Sequence, residues 1–302
     1  MIAWLDANLV SILNGVAFGL LLFTLAVGLS LIFGMMDVLN LSHGALYLVG
    51  AYAAYRVVGE AGGSLGAFLL ALGVAGVLGL AAGALLAGIT QPLARRGHLH
   101  QALLTLGVAL VVADLLSALF GDEVHSVAAP AGLRGSVRVL GHGYPAYRLF
   151  VIGVGLVLAA LVYLLVERSR AGAVIRATVA DRDMVQAIGV DTRKVLVGVF
   201  AFGTLLATCG GVLGGPILGA QPGLDDTVLI LGLVIVVIGG LGSVKGAFFG
   251  ALLIGQIQVL GVTLLPEYAS FLLFGTMALI LTLRPAGLAG TAARTAAPGS
   301  SG

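Results

Sequence analysis

Long stretches without a single charged residue follow one another along most of this 302-residue chain. About 20 apolar residues form a helix that spans the hydrocarbon core of a bilayer. A β-barrel would need short segments of alternating polarity, which this sequence lacks, so helices are the only spanning structure that satisfies its own backbone. The charge-free stretches predict these spans: Ala7–Met36, Val38–Tyr55, Ala61–Ala94, Gln101–Phe120 (interrupted by Asp114), Leu149–Val166, Val195–Leu224, Thr227–Val244, Gly246–Pro266 and Tyr268–Leu283.

The composition agrees with this interpretation. The chain is 60% hydrophobic and 9% charged with a mean hydropathy of +1.14, whereas a soluble domain has roughly 25% charged residues. We therefore predict an all-α polytopic membrane protein with eight or nine crossings, forming one domain over residues 1–290. The small residues of 291–302 predict a disordered tail. Basic residues are spread over loops, which indicates membrane topology rather than binding of nucleic acid.

Cysteine content and the first residues add two expectations. Cys209 is the only cysteine, so no disulfide can form within one chain. The first residues, MIAWLDANLV, lack a basic region and a small-residue cleavage motif. We therefore expect the first apolar run to be a retained span rather than a cleaved signal peptide.

The positions of basic residues predict the orientation. Arg95 and Arg96 lie in a loop that is two spans away from the charged segment 167–194, so both loops can face the cytoplasm. The loop 121–147 between them is then external. Counting spans places the N-terminus outside and the tail 291–302 in the cytoplasm.

Glycines recur at intervals of four in three places: Gly79 with Gly83, Gly211 with Gly215 and Gly219, and Gly242 with Gly246 and Gly250. Such rows allow helix backbones to approach closely in lipid. We favour packing within one subunit over dimerisation, because these rows are general in helix bundles.

Polar residues interrupt the apolar pattern first at residues 34–44. Asp37, Asn40, Ser42 and His43 would cost several kcal/mol if they faced lipid. They must therefore line a cavity, pair with each other or reach the interface, and the flanking glycines predict a broken or re-entrant helix. For His43 we favour a structural role over metal binding or proton relay, because no second histidine or cysteine is near it in sequence.

A second interruption, at residues 238–246, contains four glycines, Ser243 and Lys245. It is no phosphate-binding loop, because that motif needs a Gly-Lys pair and the chain has none. Ser243 as a nucleophile would need a base, and His43 is the only histidine within a predicted span. We therefore expect no ATP site and no catalytic residue.

The third interruption is the segment 167–194, which holds ten of the 28 charged residues, counted as 15 basic plus 13 acidic. Its middle predicts a short amphipathic helix that ends near Gly189, with the apolar residues Val174, Ala177, Val185 and Ile188 and the water-facing residues Arg176, Asp181, Arg182 and Asp183. A solvated loop on lipid headgroups is the alternative. Three aspartates disfavour anionic lipid, so a protein partner is the better hypothesis.

Four segments, in order along the chain, resemble segments of the permeases of branched-chain amino acid ABC importers, and TLGVALVVADLL at 105–116 is a weaker match. The four are GMMDVLNLSHGALYLVGAY at 34–52, SRAGAVIRATVADRDMVQAIGVD at 169–191, VVIGGLGSVKGAFFGALLIG at 236–255 and LRPAGLAG at 283–290. The chain is similar to the shorter of the two permease types that pair in these importers. Relatives differ at Ser42 and Ala45, where they carry alanine and an acidic or amide residue.

The resemblance implies an importer of branched-chain or other neutral amino acids in the bacterial inner membrane. Its implied partners are a second related permease, two cytoplasmic ATP-binding subunits that hold ATP and magnesium, a periplasmic or lipid-anchored solute-binding protein, and membrane lipid. No cofactor or metal is expected in this chain. Urea or short amides are alternative solutes. An ion-coupled secondary transporter is a more distant alternative, with Asp37, His43 and Asp114 as candidate coupling sites.

Two sets of site residues follow from the resemblance as hypotheses. The set for the translocation path or gate is Asn40, Ser42, His43, Gly44, Gly240, Gly242 and Ser243. The set for the loop that couples to the ATPase is Arg170, Gly172, Arg176, Ala177, Asp181, Asp183, Ala187 and Gly189. Similarity between Gly44–Ala51 and Gly246–Ala251 suggests an internal repeat.

Overall fold

A computed structural model of the chain describes residues 2–36, 40–60 and 63–289. Asp37 and the tail 291–302 lie outside the described residues. The helices in the described part are α1 (Ile2–Met36), α2 (His43–Val58), α3 (Leu65–Thr90), α4 (His98–Phe120), α5 (Ala146–Tyr163), α6 (Arg170–Ala180), α7 (Arg182–Ala187), α8 (Thr192–Leu218), α9 (Leu224–Gly239), α10 (Val244–Leu264) and α11 (Ala269–Leu283). Strands β1 (Ser136–Val139) and β2 (His142–Pro145) form an antiparallel hairpin in which Val137 pairs with Tyr144.

Seven helical segments in the described ranges are long and apolar enough to cross a membrane. Helices α2 and α9 have only 16 residues each, which is roughly 24 Å at 1.5 Å per residue and short of a hydrocarbon core of about 30 Å. The prediction of an all-α polytopic membrane protein is confirmed. Irregular chain precedes each of the two short helices, at 40–42 before α2 and at 219–223 before α9.

Helix α1 lies at the centre of the bundle, and α8 and α10 pack on it through glycines. A Cβ on Gly19 would come within 2.6 Å of the Ala251 carbonyl oxygen, and one on Gly28 would come equally close to that of Gly203. The row Gly79 and Gly83 packs α3 on α8 in the same way, against the backbone at 200–205. Of the predicted glycine rows, Gly79 and Gly83 therefore serve a contact between two helices of the same chain.

The outer helices present their apolar side chains on the molecular surface. Leu69 of α3, Leu110 of α4, Leu161 of α5 and Phe271 of α11 are each more than half exposed. Lipid chains or another subunit must cover such a surface, because its exposure to water would be unfavourable.

Two boundaries differ from the sequence prediction. The predicted span Val195–Leu224 is wrong at its end, because the helix stops at Leu218. Residues Gly219 and Gly223 there have φ of +74° and +82°, a conformation that glycine adopts without steric cost. The predicted single amphipathic helix in 167–194 is also wrong, because the chain there forms two helices that are separated at Asp181.

The other predicted interruption, at 238–246, is confirmed as a tight connection. Helix α9 ends at Gly239 and α10 begins at Val244. Gly34 near the end of α1 lies against Gly242, and the Leu288 N–H donates to the Ile238 carbonyl over 2.8 Å. The end of the described chain therefore lies beside the end of α1.

Candidate translocation and coupling sites

Residues Asn40 to Gly44 form a buried break at the start of α2. The Asn40 Oδ1 atom accepts hydrogen bonds from the Ser42 N–H (3.2 Å) and from Ser42 Oγ (2.6 Å). Asn40, Ser42 and His43 are each at most 1% exposed. A Cβ on Gly28 would lie 2.9 Å from His43 Nε2, so α2 begins two turns before the end of its neighbour α1. The break therefore lies inside the bundle.

The side-chain amide nitrogen of Asn40 has no hydrogen-bond partner among the described residues. A buried amide group that lacks a partner costs about 1–3 kcal/mol, so such groups in native proteins usually have a bound water or a functional explanation. Asn40 therefore has hydrogen-bonding capacity directed away from Ser42.

A cavity of about 180 Å³ lies beside this break, between α2, α4 and α9. Leu41 and Ala45 line it from the α2 side, whereas Asp114, Asp225 and Asp226 are its acidic residues. The chain around the cavity is tied to α4, because the Leu41 N–H donates to Thr105 Oγ1 over 3.1 Å. This cavity is the candidate translocation path, and it has acidic residues on the side opposite the break.

The sequence interpretation missed Asp225 and Asp226, which it placed in a loop between two spans. The structure places them in the first turn of α9 after Gly223, and Gly44 packs directly on the Asp225 backbone. Pro222 and Gly223 followed by two acidic residues is the usual signal for the start of a helix. That signal could have located the second short helix.

The predicted gate residues Gly240, Gly242 and Ser243 lie in the connection between α9 and α10, and none of them lines this cavity. Gly240 and Gly242 have φ of +99° and +75°. Ser243 Oγ accepts from the Gly246 N–H over 3.0 Å and so caps α10. Asn40, Ser42, His43 and Gly44 do not line the cavity either, but their neighbours Leu41 and Ala45 do, so only this half of the predicted gate lies beside it.

The coupling segment is firmly attached to the end of α5. Residues Leu164–Arg168 continue α5 as one π-helical turn, a feature that is frequent at functional sites. Ser169 Oγ donates to the Leu165 carbonyl (2.5 Å) and accepts from the Gly172 N–H (3.0 Å). Gly172 packs on the Val166 carbonyl group, which leaves no room for a Cβ. These contacts hold α6 against the end of α5.

Arg176 takes part in the same attachment. Its side chain is exposed, as the sequence predicted, and its guanidinium Nη1 donates to the Val166 carbonyl as well. A charged donor forms a stronger hydrogen bond than a neutral one. Arg176 therefore contributes to the junction within the chain.

Helix α7 is tied to the start of α8. Asp181 Oδ1 accepts from the Met184 N–H over 2.9 Å and caps α7. Gln186 Nε2 donates to Thr192 Oγ1 over 2.6 Å. Asp191 caps α8, and donation from the Lys194 N–H to its carboxylate lowers the Asp191 pKa below its usual range.

The outer surface of this segment, here called the coupling surface, is both apolar and charged. Val179, Met184 and Ile188 are each at least half exposed. The predicted coupling residues Arg170, Ala177, Asp181, Asp183, Ala187 and Gly189 are also exposed, whereas Gly172 is buried. Large apolar side chains held in water beside charges are typical of a surface that binds another protein.

The family model described as "Branched-chain amino acid transport system / permease component" matches residues 11–281. The chain belongs to this family. The matched range includes both short helices, the break at 40–44, the connection at 240–243 and the coupling surface. This permease is therefore a multi-pass membrane protein of a transport family.

Curated relatives agree with this assignment. The permease is 26% identical over 291 residues to the high-affinity branched-chain amino acid transport system permease protein LivH of Escherichia coli K12, covering 92% of this chain and 94% of the relative. It is 26% identical over 294 residues to BraD of Pseudomonas aeruginosa, with the same coverage. A probable LivH of Methanocaldococcus jannaschii is 26% identical over 242 residues, covering 78% of this chain and 75% of the relative.

Proposed function

We propose that this permease is the membrane-spanning subunit of an ABC importer that moves branched-chain or other neutral amino acids into the cytoplasm. Its proposed partners are a second related permease, two cytoplasmic ATPase subunits that bind ATP and magnesium, and a solute-binding protein outside the membrane. The curated relatives are themselves permease proteins of branched-chain amino acid transport systems, which supports transport rather than catalysis.

The coupling surface carries this proposal. It combines exposed Met184 and Ile188 with the exposed charges of Asp181, Arg182 and Asp183. This mixture suits a groove on a protein better than a lipid surface. The attachment of α6 to Val166 and of α7 to Thr192 gives two rigid routes into the spans, through α5 and α8. Motion of a docked ATPase would thus reach the bundle at two points.

For the translocation path, we propose that the solute passes beside the break at 40–44. Transporters commonly bind solutes where interrupted helices begin inside the bundle, because the backbone groups there are free to bind. Helices α2 and α9 both begin beside the 180 Å³ cavity. The unpartnered amide of Asn40 and the carboxylates of Asp114 and Asp225 are the groups that we assign to this path.

The same proposal includes the orientation of the chain and the identity of the membrane that it spans. We assign the coupling surface and the end of the chain to the cytoplasm and the β1–β2 hairpin to the outside of the bacterial inner membrane. Asn14 in the first half of α1 contacts Arg148 just after the hairpin, whereas Leu288 contacts the connection between α9 and α10. The two ends of the described chain therefore lie at opposite ends of the bundle.

Affinity purification of the permease from native membranes tests the proposal. We expect two ATPase subunits and a second permease to co-purify, and the ATPases to be lost in Asp183→Arg and Met184→Glu. Placing like charges or a buried carboxylate at an interface costs several kcal/mol. Arg176→Glu is a less selective probe, because it would also break the contact with Val166.

Leu140→Glu is the matched control, because Leu140 is 81% exposed but lies in the hairpin at the opposite end. This variant should retain the ATPases. Recovery of the permease without ATPases, together with full uptake of leucine by cells, would refute an ABC importer.

A further inference from the structure

A second cavity, of about 330 Å³, lies at the end of the bundle that carries the hairpin, between α1, α5, α8 and α10. Its polar side chains are Asn14, Arg148, Gln258 and Thr263, and Phe18, Leu218 and Val259 are among its apolar ones. Cavities that bind small molecules begin at about 300 Å³ and are mostly apolar with a few placed polar groups. This cavity meets both conditions.

Among the described side chains that line the cavity, Arg148 alone is charged. It is half-buried in the first turn of α5, and its guanidinium donates to Asn14 Oδ1. The one ion pair among the side chains that the structure describes joins Lys194 to Asp191, on the coupling surface. Arg148 thus has no carboxylate partner in that set, although charged groups in membrane-spanning helices are normally paired.

Asn14 is neutral, so it does not offset the charge of the Arg148 guanidinium, and it accepts only part of the hydrogen bonds that the guanidinium can donate. A guanidinium has five N–H donors in a planar fork. The buried Tyr144 hydroxyl also lies beside Arg148, but it is neutral and, together with Asn14, occupies only part of the fork, so Arg148 can bind a further acceptor. Carboxylates and phosphates match this fork with two parallel hydrogen bonds. The apolar wall beside the fork then selects an anion that carries an aliphatic group.

We propose that this cavity is a binding site for the oxyanion of an aliphatic molecule, with Arg148 as its receptor. Two sources share this chemistry: the carboxylate of an aliphatic amino acid, and the phosphate of a phospholipid. Only the first source rests on the proposed function. In that case the cavity would be a site for the solute that is distinct from the one beside Asn40.

The full chain in lipid nanodiscs allows the test. The variants are Arg148→Gln, which removes the charge, Arg148→Lys, which keeps the charge but loses the fork, and Arg138→Gln as the control. Arg138 is an exposed arginine on β1 at the same end of the bundle and does not line the cavity. Binding of L-leucine and of L-leucinol, which lacks the carboxylate, is measured by saturation-transfer NMR, and retained phospholipid is counted by native mass spectrometry.

If the ligand is the amino acid, Arg148→Gln should weaken L-leucine binding at least tenfold, Arg148→Lys less, and Arg138→Gln not at all. L-Leucinol should bind equally weakly to all four proteins. If the ligand is a lipid, Arg148→Gln should lose a bound phospholipid that the unmodified chain and Arg138→Gln retain, with L-leucine binding unchanged.

Identical L-leucine binding and identical phospholipid retention in a folded Arg148→Gln protein would overturn the proposal. If Arg148→Gln does not fold, the comparison is made with Arg148→Lys, which retains the charge and approximate length of the side chain but lacks the fork. Unchanged binding of both ligands by this variant would then overturn the proposal. Failure of this proposal can be distinguished from failure of the importer proposal, because ATPases can co-purify with the chain whether or not Arg148 binds an anion.

Discussion

At the scale of single residues, Asn40 shows both the reach and the limit of sequence interpretation. A polar group in an apolar run must find partners inside the bundle, which is why Asn40, Ser42 and His43 could be located in advance. All three are buried in the structure. Which groups surround them could not be predicted, because His43 lies against Gly28 of α1 and the intervening Leu41 N–H donates to Thr105 of α4.

Replacing Asn40 by leucine removes the acceptor for the Ser42 N–H and hydroxyl groups. We expect a loss of about 1–3 kcal/mol in stability, and at least a tenfold fall in leucine uptake per assembled complex, because the free amide is lost as well. Uptake into proteoliposomes, normalised to the amount of complex, measures this effect.

Gln101→Leu is the matched control. Gln101 is similarly buried, but its Nε2 donates to the Thr90 carbonyl over 2.9 Å and not to a residue of the break. It should lose stability but keep uptake per complex. Equal uptake by both variants would remove Asn40 from the translocation path.

At the scale of helices, absence of charge located the spans but not their interruptions. The rule treated 195–224 as one span because Gly219, Ala220, Gln221, Pro222 and Gly223 carry no charge, although they end the helix. Asp181 separates α6 from α7 because its carboxylate caps the second helix instead of continuing the first. Both errors concern backbone conformation, which the distribution of charged residues does not indicate. The glycine intervals, by contrast, predicted a close helix contact at Gly79 and Gly83, and the structure shows that the partner helix is α8.

Two glycines of α3 provide a direct test of helix packing. A Cβ on Gly83 would lie 2.5 Å from Ala201 Cα and 2.7 Å from the Phe200 carbonyl oxygen, whereas a Cβ on Gly88 would meet nothing within 4 Å. Gly83→Ala should therefore destabilise the fold by about 1–3 kcal/mol. Gly88→Ala should stabilise it by up to about 1 kcal/mol, because alanine favours the helix.

Equilibrium unfolding in mixed micelles with increasing SDS measures both free energies. If Gly83→Ala were as stable as Gly88→Ala, the described contact between α3 and α8 would be incorrect.

At the scale of the whole molecule, the coupling surface and the β1–β2 hairpin lie at opposite ends of the bundle. We expect Leu140→Cys to react with a membrane-impermeant thiol reagent in intact cells and Met184→Cys to react only after permeabilisation. Both positions are well exposed, at 81% and 61%, so accessibility to the reagent alone distinguishes them. The background is Cys209→Ser, which removes the only native cysteine. Labelling of both positions in intact cells would contradict the assigned orientation.

The internal repeat stays a prediction at this scale. Gly44 and Gly246 both lie in the first turn of a helix, α2 and α10 respectively. Helix α2 begins inside the bundle, however, whereas α10 follows a tight connection from α9. Similar sequences therefore begin helices in different settings, and the resemblance is local.

The central position of α1 has a consequence for biosynthesis. Its apolar window is 83% buried, against 11% for α11 and 17% for α4, and its main neighbours α8 and α10 are made near the end of translation. At about 5–20 residues per second, α1 waits on the order of ten seconds before α8 emerges from the ribosome. During that interval lipid must cover the glycine face that later holds the bundle together. The absence of charge from residue 7 to residue 36 is what allows this helix to wait in lipid.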